Sequence, residues 1–145
     1  MASPSTYSPD SPDTSYSDDD SGPCEPPRRV TIVGYGNWGS AIARIVGKTA
    51  VENPLFFDRT IRMWVSDEMV NDRKLSEIIN TDHENVKYLP GTKLPDNVVA
   101  VPDLVDSCRD ANVLIFVVPQ EFVAGLCKQL KGNLVTDVQA ISLVQ

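Results

Sequence analysis

Arg29-Val30-Thr31-Ile32-Val33-Gly34-Tyr35-Gly36-Asn37-Trp38-Gly39 sets an apolar, β-branched run directly before G-x-G-x-x-G, and Ser40-Ala41-Ile42-Ala43-Arg44-Ile45-Val46 continues as a helical pattern. Strand, glycine turn and helix in that order form a cradle for the phosphates of a dinucleotide. Gly34 is expected to make the tight turn out of the strand, Gly36 to let the backbone approach a pyrophosphate, and Gly39 to bring the helix close to the strand. The phosphates would sit at the helix N-terminus, where unpaired N–H groups and the macrodipole favour negative charge. Trp38, Ala41, Ile42, Ile45 and Val46 recur at i, i+3, i+4, i+7 and i+8, which predicts that they form the buried face. A lone G-x-G-x-x-G also occurs at corners that hold no ligand, so the weight rests on the flanking strand and helix.

Residues 1–28 are dominated by Ser, Pro and Asp and carry no aliphatic core pattern. Such a segment buries too little apolar surface to offset its ordering entropy, and disorder is expected there. Residues 29–145 are then the single folded, dinucleotide-binding domain. Charge divides at the same place: Asp10, Asp13, Asp18, Asp19, Asp20 and Glu25 supply six of the formal net charge of −7, leaving fourteen acids against thirteen bases in the remainder. That balance offers no basic footprint for nucleic acid. The tail has neither the basic and apolar regions of a secretory leader nor the composition of a transit peptide, and no apolar run is long enough to span a membrane. A cytoplasmic protein is expected. Ser3-Pro4, Ser8-Pro9 and Ser11-Pro12 would suit a proline-directed kinase, though a plain solvated extension is the simpler reading.

Cys24, Cys108 and Cys127 form no C-x-x-C pair, and any disulfide would leave one over, as in a reducing compartment. Cys108 and Cys127 fall on the apolar faces of predicted helices and should behave as small hydrophobes.

Beyond the first helix, Lys48 to Arg59 reads as a loop, Thr60-Ile61-Arg62-Met63-Trp64-Val65 as a second strand, and Asp72 to Ile79 as a helix. Asn80 to Asn97, with Pro90, Gly91 and Pro95, reads as an irregular excursion. Val98–Val101 is a third strand, and a short helix with Leu104, Val105, Cys108 and Ala111 on its apolar face follows Pro102-Asp103. Val113–Val118, six apolar residues without alternation, predicts a strand buried on both faces. Phe122, Val123, Leu126, Cys127 and Leu130 mark a last helix, and Ala140–Val144 a fifth strand. This alternation predicts an α/β, Rossmann-type doubly wound parallel sheet of order 3-2-1-4-5, incomplete because the chain stops on an apolar strand that would leave an open edge. The order reverses between strands one and four, which makes Val118-Pro119-Gln120-Glu121-Phe122 the second wall of the expected pocket.

An acid after strand two can meet the adenosine ribose of NAD and repel the extra phosphate of NADP. Asp67 and Glu68 stand there with no Arg before Arg73, which favours NAD; the same acids could instead charge a helix N-terminus. His83 sits in Thr81-Asp82-His83-Glu84-Asn85, but neighbours at i±1 diverge, so loop hydrogen bonding is expected and no metal site.

The strings Ile32-Val33-Gly34-Tyr35-Gly36-Asn37-Trp38-Gly39-Ser40-Ala41-Ile42-Ala43, Met63-Trp64-Val65, Glu77 through Gly91 (with Asn80-Thr81-Asp82-His83-Glu84-Asn85-Val86-Lys87-Tyr88-Leu89-Pro90-Gly91), and Ile115-Phe116-Val117-Val118-Pro119 resemble the N-terminal half of eukaryotic NAD-dependent glycerol-3-phosphate dehydrogenase. The resemblance implies NAD(H) as cofactor and hydride transfer between sn-glycerol 3-phosphate and dihydroxyacetone phosphate. It implies cofactor contacts from Gly34, Tyr35, Gly36, Asn37, Trp38, Gly39 and Phe122, with Ser66 standing where the family has an aromatic contact and so weakening it. Gln145 occupies the position of a family lysine that meets substrate, and a neutral amide cannot supply that charge. The helical C-terminal domain with the family's catalytic lysine and phosphate-binding arginine is not among these residues, so none of them is expected to be catalytic. Binding of NAD without turnover is expected of this chain alone, with a homodimer, pairing with a full-length subunit, or a purely non-enzymatic binding role as alternatives.

Overall fold

The computed structural model describes residues 25–143. Residues 1–24 of the acidic tail, with its Ser-Pro pairs and Cys24, and residues 144–145, including Gln145, lie outside the described residues.

β1 (Arg28–Val33) leads through the glycine turn into α1 (Asn37–Glu52), then β2 (Phe57–Trp64), a small hairpin of β3 (Met69–Val70) and β4 (Arg73–Lys74), and α2 (Leu75–Asp82). β5 (Val98–Val101), α3 (Leu104–Cys108), β6 (Val113–Phe116), α4 (Gln120–Leu130) and β7 (Gln139–Ser142) complete the chain. The main sheet runs β5-β2-β1-β6-β7 with every pairing parallel. Numbered along the chain, these five strands stand in the order 3-2-1-4-5, as the alternation of strand and helix predicted.

Two apolar layers sandwich the sheet. Val30, Ile32, Ile61, Met63 and Ile115 face α1 and α2, whereas Val33, Leu114 and Phe116 face α3 and α4 with Leu104, Leu126 and Leu130. The strand through Val118 is buried on both faces, as its unbroken apolar run required. Asp103 caps α3 by accepting a hydrogen bond from the Asp106 N–H at 2.9 Å.

Several boundaries differ from the sequence reading. β1 begins at Arg28, where the acidic tail was expected still to run. α1 continues to Glu52 and β2 starts at Phe57, so the connection expected over 48–59 is only a few residues long. The helix expected at Asp72 begins at Leu75, because residues 69–74 pair as the hairpin.

The buried face of α1 is also a different one. Gly39, Ser40, Ala43, Gly47 and Ala50 meet the sheet, while Trp38 and Ile45 are 46% and 63% exposed. Helical periodicity is obeyed, but by small residues. A Cβ on Gly47 would lie 3.0 Å from Val98 Cγ2 and 3.1 Å from Pro95 Cγ, so the helix rests too close to the sheet for a larger side chain. Ile42 and Val46 pack at the edges of that contact. On α4, Leu126 and Leu130 are buried but Cys127 is exposed; Cys108 alone of these two thiols is in the core, where burial pushes its pKa up.

Two substitutions separate the crowded glycine from an idle one. Gly47→Leu should lower stability by roughly 1–3 kcal/mol through overpacking. Gly125→Ala, whose added carbon meets nothing within 4 Å, should raise it by roughly 0.5–1 kcal/mol by improving helix propensity. Urea midpoints of the two variants against the parent chain check both signs.

Candidate functional site

The turn between β1 and α1 is shaped by lack of room. Gly34 has φ +138°, and a Cβ there would fall 2.3 Å from the Val117 carbonyl oxygen. A Cβ on Gly39 would fall 2.7 Å from the Gly34 oxygen. Gly36 is the opposite case: a Cβ would meet nothing within 4 Å, so its surroundings are open space in front of the helix. The first bond of α1 runs from the Ser40 N–H to the Gly36 carbonyl at 2.9 Å, no side chain caps the helix, and its first turn holds no acid. The N–H groups ahead of Ser40 are thereby left for an anion.

Two clefts flank this turn at the carboxyl ends of the strands. The first, of ≈ 580 Å³, is lined by Gly36, Asn37, Trp38, Gly39, Val117, Val118, Pro119 and Leu143. The second, of ≈ 400 Å³, is lined by Gly34, Tyr35, Gly36, Trp64, Tyr88, Val117, Val118, Pro119, Phe122 and Leu126. They share Gly36 and the segment after β6, the two walls expected from the order reversal. Phe122 is 56% exposed at the mouth of the second cleft.

A loop from outside the sheet holds the turn in place. Asn85, fully buried, donates from Nδ2 to the Tyr35 carbonyl at 2.7 Å and to Ser40 Oγ at 2.8 Å, and its Oδ1 accepts from the Tyr88 N–H at 3.1 Å. The irregular stretch after α2 is therefore the strut behind the glycine turn. Asn80 grips β5 in the same manner, its amide both donating to the Ala100 carbonyl and accepting from the Ala100 N–H. Motif reading passed over both. Both asparagines stand in the strings quoted above for the family resemblance, which gave neither of them a role.

At the end of β2, Ser66 Oγ shares a hydrogen bond with the Tyr35 hydroxyl. Glu68 is bracketed by the Lys87 ammonium and the Tyr88 hydroxyl. Burial would raise its pKa, but hydrogen bonds donated by Lys87, Tyr35 and Tyr88 outweigh it and hold the carboxyl below its ordinary value. Burial, first of all, raises the Tyr35 phenol, which remains neutral. Asp67 is exposed and pairs with Lys74 at 3.3 Å. α2 begins at Leu75, whose N–H donates to the Glu68 carbonyl at 2.7 Å, so both acids lie beside the N-terminus of that helix without belonging to its first turn. His83 closes α2 in the left-handed conformation and hydrogen-bonds in its loop through the backbone, its N–H donating to the Ile79 carbonyl at 3.0 Å and its carbonyl accepting from the Leu94 N–H at 2.7 Å, while its Nδ1 is buried without a partner. Among the described residues no cluster of three His, Cys, Asp or Glu could hold a metal ion, and no helix is long and apolar enough to cross a membrane.

Residues 29–145 match the family model for the N-terminus of NAD-dependent glycerol-3-phosphate dehydrogenase. The chain belongs to this family. It is 62% identical over 119 residues to probable glycerol-3-phosphate dehydrogenase 2 of Caenorhabditis elegans, covering 82% of this chain and 30% of that relative. It is 57% identical over 118 residues to the human cytoplasmic NAD(+) glycerol-3-phosphate dehydrogenase, covering 81% and 34%. Glycerol-3-phosphate dehydrogenase from Saccharomyces cerevisiae superposes with a TM-score of 0.80 at 48% identity, covering 82% of this chain and 34% of that one. The chain thus spans about a third of the length of the dehydrogenases it matches, and the glycine turn, the Asn85 strut and the doubly wound sheet all fall within the shared, NAD-binding part.

Asn85→Ala should cost about 2 kcal/mol, since it removes both Nδ2 hydrogen bonds and leaves the Tyr35 carbonyl only the long 3.4 Å bond from Ser40 Oγ, and a lowered thermal midpoint would register it. Glu68 gives a pH test. Its folded pKa lies below the unfolded value of about 4.3, so its stabilisation is present at neutral pH and is lost as pH falls through the folded pKa. The stability gap between the parent and Glu68→Gln should hold steady from pH 6 to 8 and close below about pH 4, read by denaturant titration across that range.

Proposed function

We propose that this chain is the NAD(H)-binding part of an enzyme that interconverts sn-glycerol 3-phosphate and dihydroxyacetone phosphate by hydride transfer. The observation that carries the reading is the uncapped helix N-terminus behind an open Gly36, which fits a pyrophosphate: backbone donors, favourable dipole, no competing acid and no Cβ in the way. Gly34, Tyr35, Gly36, Asn37, Trp38 and Gly39 would surround the phosphates. Ser66 and Phe122 would flank the rest of the cofactor; Gln145, at the sequence position of the family's substrate lysine, lies outside the described residues. NAD supplies or accepts the hydride when bound; the chain's own part is to hold and orient it.

The first cleft has no titratable side chain in its lining. Reduction of a ketone also needs a proton donor at the carbonyl oxygen, and nothing along this wall provides one. Residues 1–145 are accordingly expected to bind NADH and not to turn over.

A second reading is favoured by β7, whose four residues are all exposed. A non-enzymatic NAD-binding module could pair through that edge, or through its acidic tail, with a second copy or a full-length subunit. The proposed compartment is the cytoplasm, named for the bovine and human relatives.

Titration of the purified chain with NADH, followed by cofactor fluorescence, should saturate. Gly36→Asp should weaken binding at least tenfold, because its carboxylate would stand against the pyrophosphate. A folded chain that shows no saturable binding would refute the cofactor assignment, and oxidation of NADH upon addition of dihydroxyacetone phosphate would refute the expectation of no turnover. Sedimentation velocity of the same sample separates the second reading, which requires a dimer or a complex with the full-length enzyme.

A further inference from the structure

The second cleft contains an aromatic arrangement that the glycine motif does not call for. Tyr35, the variable residue inside G-x-G, projects its ring between Trp64 and Tyr88. It meets Trp64 edge-on at 6.0 Å between centroids with the planes at 86°, and Tyr88 at 5.6 Å and 75°. All three rings line the cleft at the end of β2. Its hydroxyl is held by Ser66 Oγ at 2.5 Å, and its carbonyl by Asn85 at 2.7 Å. The ring is therefore fixed at both ends, by a side chain two residues beyond β2 and through its own backbone. Ser66 is small enough to leave the ring its place.

In a doubly wound sheet the adenosine half of a dinucleotide lies over the strand next to the glycine turn, which here is β2, and the nicotinamide half lies toward the strands on the other side. We propose that Tyr35, oriented by Ser66, is the stacking platform that selects an adenine-bearing ligand in the second cleft. Ser66 acts as a positioning residue: it does not replace a contact but aims one. This inference rests on the NAD reading and reverses the expectation that Ser66 weakens the site.

The chemistry is that of a flat, electron-rich face meeting a purine. A ring held in two T-shaped contacts and by its hydroxyl keeps its orientation on binding and loses little side-chain freedom. Stacking one base on such a face is worth roughly 1–3 kcal/mol, or about five- to over a hundredfold in affinity. The Ser66 hydrogen bond, at a net value of roughly 1 kcal/mol, corresponds to about fivefold.

The test uses the full 145-residue chain and three probes: NADH, ADP-ribose, which keeps the adenosine half and pyrophosphate, and nicotinamide mononucleotide, which lacks adenine. Tyr35→Phe and Ser66→Ala should each weaken NADH and ADP-ribose binding about fivefold, and the double variant should lose no more than Tyr35→Phe alone, since that substitution already removes the bond that Ser66→Ala breaks. Tyr35→Ala should lose tenfold or more for NADH and ADP-ribose while its affinity for nicotinamide mononucleotide stays within twofold. Independent, multiplying losses in the double variant would overturn the coupling of Ser66 to Tyr35. Equal losses for all three probes would overturn the platform and leave Tyr35 as a support of the turn. Thermal unfolding of each variant identifies a collapsed one, and Ser66→Ala keeps the test decisive if Tyr35→Ala does not fold. Absence of NADH binding by the folded parent chain would instead bring down the cofactor reading itself.

Discussion

The backbone of the turn after β1 passes so close to the backbone after β6 that only hydrogen fits between Gly34 and the Val117 carbonyl. Gly39 repeats the constraint one turn into α1, against Gly34 itself. These two contacts lock three elements into a single corner. The position of the helix N-terminus, the mouth of both clefts and the path of the chain into Pro119 follow from it. The small residues along α1 extend the same logic down the helix: Ala43, Gly47 and Ala50 let it lie against β2 and β5, where bulkier residues would lift its N-terminus away from the phosphate position.

A corner built from missing side chains has little packing of its own, and its rigidity is supplied from elsewhere. Asn85 reaches in from the stretch after α2 and satisfies the Tyr35 carbonyl, so a buried polar group that would otherwise be costly becomes the fastening of the turn. Tyr88, three residues on, makes a T-shaped contact with Tyr35 and donates to Glu68, which Lys87 also holds. Residues 85–88 thus brace both the glycine turn and the end of β2. A segment without regular secondary structure does this because its task is to place individual polar atoms, and turns do that more freely than a ladder of repeating hydrogen bonds.

Much of this was readable from residues alone. Strand order follows from alternating periodicities and the handedness of crossovers, and the unbroken run at 113–118 could only be a central strand. The failures have a common origin. Periodicity was weighed by size, so the large residues Trp38 and Ile45 were put inside, whereas close packing against the sheet selected glycine and alanine for that face. The hairpin at 69–74 and the strut at Asn85 depend on partners distant in sequence or on two-residue strands, which leave no periodic trace. Ser66 was read by what it lacks; its hydroxyl partner is 31 positions away in Tyr35 and is visible only in three dimensions.

β7 brings a different consequence. Its backbone is tied to β6 through Gln139 and Leu143, yet none of its four side chains is buried. Local opening is easiest where few apolar contacts must be broken, and among the described strands of the sheet this one has no buried side chain. Leu143, just beyond it, forms part of the wall of the first cleft. One side of the first cleft is therefore supplied by the residue that follows this exposed edge strand, so whatever pairs with that edge also bears on the shape of the cleft.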